Sequence, residues 1–244
     1  MKAMIFAAGL GTRFKPWTDT HPKALAIING KSLLQRNIEY LQQYGISDVV
    51  VNVHHFADQI MEAVEKNKGW GSSIIISDET NEVLETGGGL MKAEKYLTGD
   101  GPFITLNADI LTDLNISQLL DFHHAQQALI SFAISARKSS RNFLFNDKHQ
   151  LRGWRNDVTG EEKGPFLAAP AAAEKLHKMA YSCVVVFEPE VFSLIRQTGK
   201  FSLTDTYLDL AATQKIRGFE HSGDKWIDVG KPESVVAAEL MFGE

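Results

Sequence analysis

Apolar positions in the first hundred residues fall into two alternating patterns. Short runs rich in Ile, Val and Leu, at residues 2–7, 48–53, 73–77 and 102–107, have the length and composition of buried strands. Helix-like stretches separate them, over residues 32–44, 56–66 and about 88–97. Ser32 stands as the N-cap of the first helix and Gly45 as its stop. Such alternation predicts a mostly parallel sheet with helices on both faces.

The second half is less regular. Residues 128–135 read as a strand, and 143–145 with 150–154 as a hairpin over Asn146-Asp147. Residues 157–173 read as loop, ending in an alanine-rich stretch, and 180–187 as a strong strand. Helices are predicted at 190–197 and 203–214, strands near 216–221 and 225–229, and a closing helix from Pro232. No repeat or flexible linker divides the chain, so residues 1–244 read as a single α/β domain.

Composition narrows the function classes. With 44% hydrophobic and 23% charged residues the chain can bury a sizeable core. A net charge of −5 does not suit a nucleic-acid partner, although local cations still permit a phosphate-bearing substrate. The single cysteine, Cys183, cannot form an intrachain disulfide, which fits a reducing compartment. No apolar run has bilayer length and the start lacks a signal peptide, so the expectation is a soluble, cytoplasmic protein without a membrane partner.

Candidate chemistry begins where the first strand ends, at Ala7-Ala8-Gly9-Leu10-Gly11-Thr12-Arg13-Phe14-Lys15-Pro16. A glycine loop at the carboxyl end of a first strand lies where α/β sheets bind ligands. Gly9 and Gly11 let backbone N–H groups approach phosphate oxygens, and Arg13 and Lys15 add charge. A bare G-x-G is more often a plain turn. A dinucleotide fingerprint fails because Phe14 stands where the third glycine belongs, which disfavours a nicotinamide-dependent oxidoreductase. Gly30-Lys31-Ser32 imitates the end of a P-loop, but Leu25 occupies the first-glycine position, so it reads as a strand-to-helix turn.

Across Ala7–Leu25 the chain resembles the sugar-nucleotidyltransferase family, whose signature is A-A-G-x-G-T-R, a proline, then P-K-x-L. Here the last part is Pro22-Lys23-Ala24-Leu25. The resemblance implies a Rossmann-like three-layer nucleotidyltransferase fold with a mixed, mainly parallel central sheet. It also implies joining of an NTP to a sugar 1-phosphate with release of pyrophosphate. Arg13 and Lys23 would act as catalytic cations on the phosphates, with Ala8, Gly9, Gly11 and Thr12 binding the nucleotide. Positioned cations are what stabilises phosphoryl-type transition states.

Three further segments extend the resemblance. Glu85-Thr86-Gly87-Gly88-Gly89 is similar to the base-recognition loop of the family's N-acetylmuramate-1-phosphate uridylyltransferases. It implies UTP and N-acetylmuramate 1-phosphate as substrates, with backbone groups freed by the glycines meeting the base edge. Guanylyl transfer to mannose or heptose 1-phosphate is the alternative. A non-catalytic sensor of sugar nucleotides is a second alternative, against which the joint retention of Arg13, Lys23, Asp109 and Asp228 argues. Asn107-Ala108-Asp109 resembles the family's N-G-D element, and Trp226-Ile227-Asp228-Val229-Gly230 its W-x-D-V-G element. These imply nucleotide contact by Asn107 and Mg²⁺ held by Asp109 and Asp228, as suits a hard cation that takes oxygen ligands. About residues 1–110 would then form the nucleotide half. About 111–244 would form the sugar half with the second metal ligand, and there Cys183 stands where many relatives carry glycine.

Other features are read as structural. His54-His55 and His123-His124 lack metal-ligand spacing and are expected at the surface or at strand ends. Trp154, Trp226, Phe187 and Phe143-Leu144-Phe145 are expected in the core.

Overall fold

The computed structural model describes residues 1–166 and 174–243. Its first half runs β1 (Lys2–Phe6), a short hairpin of β2 (Ile27–Ile28) and β3 (Lys31–Ser32), α1 (Leu33–Gln42), β4 (Asp48–Val53), α2 (Ala57–Lys66), β5 (Ser73–Asp78), α3 (Glu85–Leu97), β6 (Phe103–Asn107), β7 (Ile110–Thr112) and α4 (Ile116–Gln126). Next come β8 (Ile130–Ser135), β9 (Arg141–Phe145), β10 (Leu151–Asn156), β11 (Glu162–Lys163) and β12 (His177–Phe187). The chain closes with α5 (Val191–Leu194), α6 (Leu203–Ala211), β13 (Ile216–Glu220), β14 (Trp226–Asp228) and α7 (Glu233–Met241).

Alternate residues of a strand point to opposite faces, and here both faces are apolar. Met4, Val50, Phe103 and Val185 enter one core, closed by α3 and α6 through Leu90, Ala93, Leu97 and Tyr207. Ala3, Ile5, Val49, Val51, Ile104, Leu106, Val184 and Val186 enter the other, closed by α1, α2 and α4. The result is the three-layer arrangement expected from the sequence. Phe103 anchors the first core by stacking on Phe187 at 5.2 Å and on Phe192 at 5.3 Å. Such aromatic pairs are worth about 0.5–1.5 kcal/mol beyond their burial.

The sheet is mixed, as expected. β5, β4, β1 and β6 form an all-parallel block. β12 then pairs antiparallel with β6 and leads into β9, β10 and β11, while β8 pairs with β12 and, in parallel, with β13. Between Tyr181 and Val185 the β12–β8 register shifts, and Cys183 sits in this bulge at φ 60°. That left-handed conformation suits glycine. A separate ribbon pairs β7 with β14, placing Asp228 opposite Ile110.

Several expectations are corrected. The helix at 190–197 shrinks to Val191–Leu194, because Ile195 turns extended at ψ 122° while its side chain stays buried. The helix expected from about residue 88 starts at Glu85, so all three glycines lie inside it. His123 and His124 ride on α4, where Ile116, Leu119 and His123 share the buried face, so His123 is fully buried. The expected loop 157–173 contains β11, and its alanine-rich end lies outside the described residues. Among the described residues, no helix is long and apolar enough to cross a membrane.

Candidate active site

A cleft of about 460 Å³ opens at the carboxyl ends of β1 and β6. Its lining includes Gly9, Gly11, Thr12, Arg13, Lys23, Glu85, Thr86, Asn107 and Asp109. The sequence therefore places most of its candidates around one space. Of the remainder, Ala8 is buried, and Asp228 stands beside the cleft close to Lys23.

The glycine loop leaves β1 and turns through Gly11 at φ 60° into a short 3₁₀ turn over Thr12–Phe14. The Gly11 carbonyl accepts the Thr18 hydroxyl at 2.9 Å, and Thr18 Cγ2 is packed where a Cβ on Gly11 would sit. Asn52 fastens the loop from below, its Oδ1 accepting the Ala7 N–H at 2.8 Å while its Nδ2 donates to Glu79 at 2.8 Å. Burial pushes the Glu79 carboxyl up, only partly countered by the Asn52 and Leu84 hydrogen bonds.

Lys23 and the two aspartates meet at the far end of the loop. Asp109 directly follows the residues that carry β6 to the cleft, and Asp228 ends β14. The β7–β14 ribbon closes this distance, with the Val229 N–H donating to the Asp109 carbonyl at 2.9 Å. The Lys23 ammonium donates to Asp109 Oδ2 and lies 4.0 Å from Asp228 Oδ1. Asp228 Oδ1 is itself buried without a hydrogen-bond partner. Burial and then the neighbouring Asp109 carboxylate push the Asp228 carboxyl up, against Lys23, Arg13 and Arg137, which favour its ionised form. A Cβ on Gly230 would lie 2.7 Å from Asp228 Oδ1, so glycine there lets the carboxylate fold back over the chain. An unpartnered buried carboxylate oxygen next to a second carboxylate fits an oxygen-seeking divalent cation.

The glycine run at the start of α3 has surroundings that differ from the sequence expectation. Gly87 and Gly88 are buried, and a Cβ on either would overlap the Phe201 ring or the Gly199 carbonyl. The Gly87 N–H donates to the Phe201 carbonyl at 2.9 Å. These glycines let residues 199–201 dock closely, and the groups facing the cleft from this wall are Val83, Glu85, Thr86 and Lys200. Sequence reasoning missed Lys200, since nothing in Gly199-Lys200-Phe201 signals a ligand. It also missed Arg137, whose guanidinium carbon lies 3.5 Å from the Trp226 ring centroid. Trp226, expected in the core, is only half-buried, and its indole N–H donates to the Ser182 carbonyl at 3.0 Å.

A sequence model of the family described as nucleotidyl transferase matches residues 2–242. The N-acetylmuramate alpha-1-phosphate uridylyltransferase of Caulobacter vibrioides is 32% identical, over 99% of this chain and 97% of its own. Its counterpart from Neisseria meningitidis serogroup B is 30% identical, over 100% and 99%. The mannose-1-phosphate guanyltransferase of Yarrowia lipolytica is 28% identical over 99% of this chain, which spans only 64% of that longer protein. The crystal structure of HddC from Yersinia pseudotuberculosis complexed with GMP-PN shares the fold, with a TM-score of 0.77, 24% identity and 99% of both chains covered.

Proposed function

The chain belongs to the nucleotidyl transferase family, and on that premise we propose that it joins UTP to N-acetylmuramate 1-phosphate, releasing pyrophosphate and forming the UDP-linked sugar. It is a sugar-1-phosphate nucleotidyltransferase; the choice of nucleotide and sugar is the proposal. Both full-length uridylyltransferase relatives support that choice. The observation that carries the chemistry is the meeting of Lys23, Asp109 and Asp228 beside a glycine-rich loop bearing Arg13.

The residues divide the work as follows. Gly9, Gly11 and Thr12 offer a backbone cradle to the triphosphate. Arg13 and Lys23 meet the oxygens around the reacting α-phosphorus, where charge accumulates as the bond to the β-phosphate breaks. Asp109 and Asp228 would hold Mg²⁺, which when bound neutralises phosphate charge and orients the oxygens. Lys23, now on Asp109, is then free to turn toward substrate. The sugar phosphate, with a second pKa near ~6, arrives mostly as a dianion and needs no base to attack. In-line placement of nucleophile and leaving group is the remaining requirement. About residues 1–110 mainly serve the nucleotide, and about 111–244 mainly serve the sugar and supply Asp228, within one domain, with Lys200 of the second part also lining the nucleotide cleft.

A matrix of NTPs against sugar 1-phosphates, scored by pyrophosphate release, tests the reading. UTP with N-acetylmuramate 1-phosphate should give the highest kcat/KM, and UTP should win in equimolar competition with GTP. Dominant GTP-derived product with mannose or heptose 1-phosphate would replace the uridylyl assignment with the guanylyl one, a substitution that the 28% identical guanyltransferase keeps in view.

A further inference from the structure

We propose that Glu85 and Lys200 act together as the base-selecting pair of the cleft, reading the keto–imide edge of the nucleobase. The inference rests on the nucleotidyltransferase reading and deepens it. Both side chains line the cleft, about half exposed, with Lys200 Nζ 3.8 Å from Glu85 Oε1. At that separation they attract without sharing a hydrogen bond, so each keeps its capacity for a ligand atom. Because they are solvent-accessible, their mutual attraction contributes little to stability.

The wall that carries them is built rigidly. Besides the Gly87-to-Phe201 bond, the Phe201 N–H donates to the Leu84 carbonyl at 3.2 Å and the Leu203 N–H to Thr86 Oγ1 at 3.1 Å. Residues 199–201 can dock this closely only because Gly87 and Gly88 lack side chains. The Lys200 backbone is thereby fixed relative to Glu85 despite its distance in sequence. Glu85 also occupies φ 58°, a conformation unfavourable for a residue with a Cβ.

The chemistry of the pair selects among bases. A carboxylate accepts and an ammonium donates. Uracil presents an N3–H donor next to the O4 acceptor, and guanine an N1–H donor next to O6, so either edge fits. Held with the carboxylate opposite the ring nitrogen and the ammonium opposite the exocyclic group, cytosine turns its N3 acceptor to the carboxylate and its amino donor to the ammonium. Adenine does the same with N1 and its amino group, so in that orientation both set like against like. The pair therefore admits keto–imide bases and rejects amino–imine ones. Choice between uracil and guanine falls to the size of the space.

The test measures kcat/KM for UTP, CTP, GTP and ATP, with one sugar 1-phosphate, in the wild type, Glu85→Gln, Lys200→Met and the exchanged double variant Glu85→Lys/Lys200→Glu. Melting temperatures establish that each variant folds. The UTP-to-CTP ratio should fall roughly ten- to a hundredfold in each single variant, since each loses one charge-assisted contact to the base. In the double variant the preference should move toward CTP. If Lys200→Met lowers kcat/KM equally for all four nucleotides, Lys200 serves the phosphates or the sugar and the base-selecting role is overturned. An unchanged UTP-to-CTP ratio in all three folded variants overturns it as well, while leaving the reaction class intact. If the wild type releases pyrophosphate with no nucleotide, the nucleotidyltransferase reading itself fails and takes this inference with it.

Discussion

The carbonyl of Asp109 accepts the N–H of Val229 at 2.9 Å, so the backbone, not a side-chain contact, sets the separation of the two site carboxylates. Ile110 and Asp228 face each other in the same ribbon. The arrangement brings two negative charges together, and Lys23 is the nearest cation to both.

Asp109→Asn and Asp228→Asn should each cost on the order of a hundredfold or more in kcat, since an amide is a poor ligand for a hard cation. Circular dichroism and melting temperature should stay near wild type, because the ribbon uses backbone bonds. Wild-type turnover should vanish with EDTA and return with Mg²⁺. Near-normal kcat in either variant would place the metal elsewhere.

Arg13→Ala and Lys23→Ala should lower kcat more than they raise KM, each by about 2–4 kcal/mol of transition-state stabilisation. Steady-state kinetics separate the two effects. A rise in KM alone would make the residue a ground-state contact. Lys23→Ala has a second consequence, since it leaves Asp109 and Asp228 without their shared cation. Its melting temperature should rise more steeply with added Mg²⁺ than that of the wild type.

Gly88→Ala tests the packing role of the glycine run. The added methyl meets the Gly199 carbonyl, and overpacking of this kind costs about 1–3 kcal/mol. Thermal melts should show a loss of roughly 3–10 °C for a chain of this size. An unchanged melting temperature would mean that residues 199–201 do not pack closely on α3.

His123 predicts a component of acid sensitivity unrelated to catalysis. Its imidazole is fully buried, with Nδ1 2.9 Å from Ser131 Oγ and Nε2 3.2 Å from Glu188 Oε1. Burial, with a smaller contribution from His124, pushes its pKa down from 6.5 to about 4. Below pH 6.5 the unfolded chain therefore binds a proton that the folded one refuses. Stability should fall as pH drops from about 6.5 to about 4 and level off below. The loss is about 3 kcal/mol at most, less whatever the Glu188 carboxylate returns to the imidazolium. Urea melts across this window should show a shallower acid limb in His123→Gln than in the wild type.

The sequence made the parallel block legible because each of its strands is short and mostly apolar, with only isolated polar positions such as Asn52 and Thr105 inside it. It made the glycine-loop end of the cleft legible because Ala7–Leu25 carries an ordered motif. The Ser32 cap also holds, its Oγ accepting the Gln35 N–H at 3.1 Å. What it did not show depends on partners remote in sequence. β7 has only three residues and acquires its identity from β14. α4 passed unnoticed because His123, His124 and Gln126 blur its apolar stripe. The glycines of α3 suggested open backbone, but their closeness to residues 199–201 exists only in the folded chain. Cys183 at a glycine-like position corresponds to the bulge in β12. Lys200 lies in a connection of ordinary composition that only docking brings to the cleft.

The β7–β14 ribbon also has a consequence during translation. Every strand of the parallel block is encoded before residue 108, so Arg13, Lys23 and Asp109 are all synthesised well before Asp228. Asp228 follows only after the intervening stretch has been made, which at ordinary elongation rates takes on the order of ten seconds. Throughout that interval Asp109 lacks its companion carboxylate. The two aspartates therefore become neighbours only late in synthesis, when the last strand zips against β7.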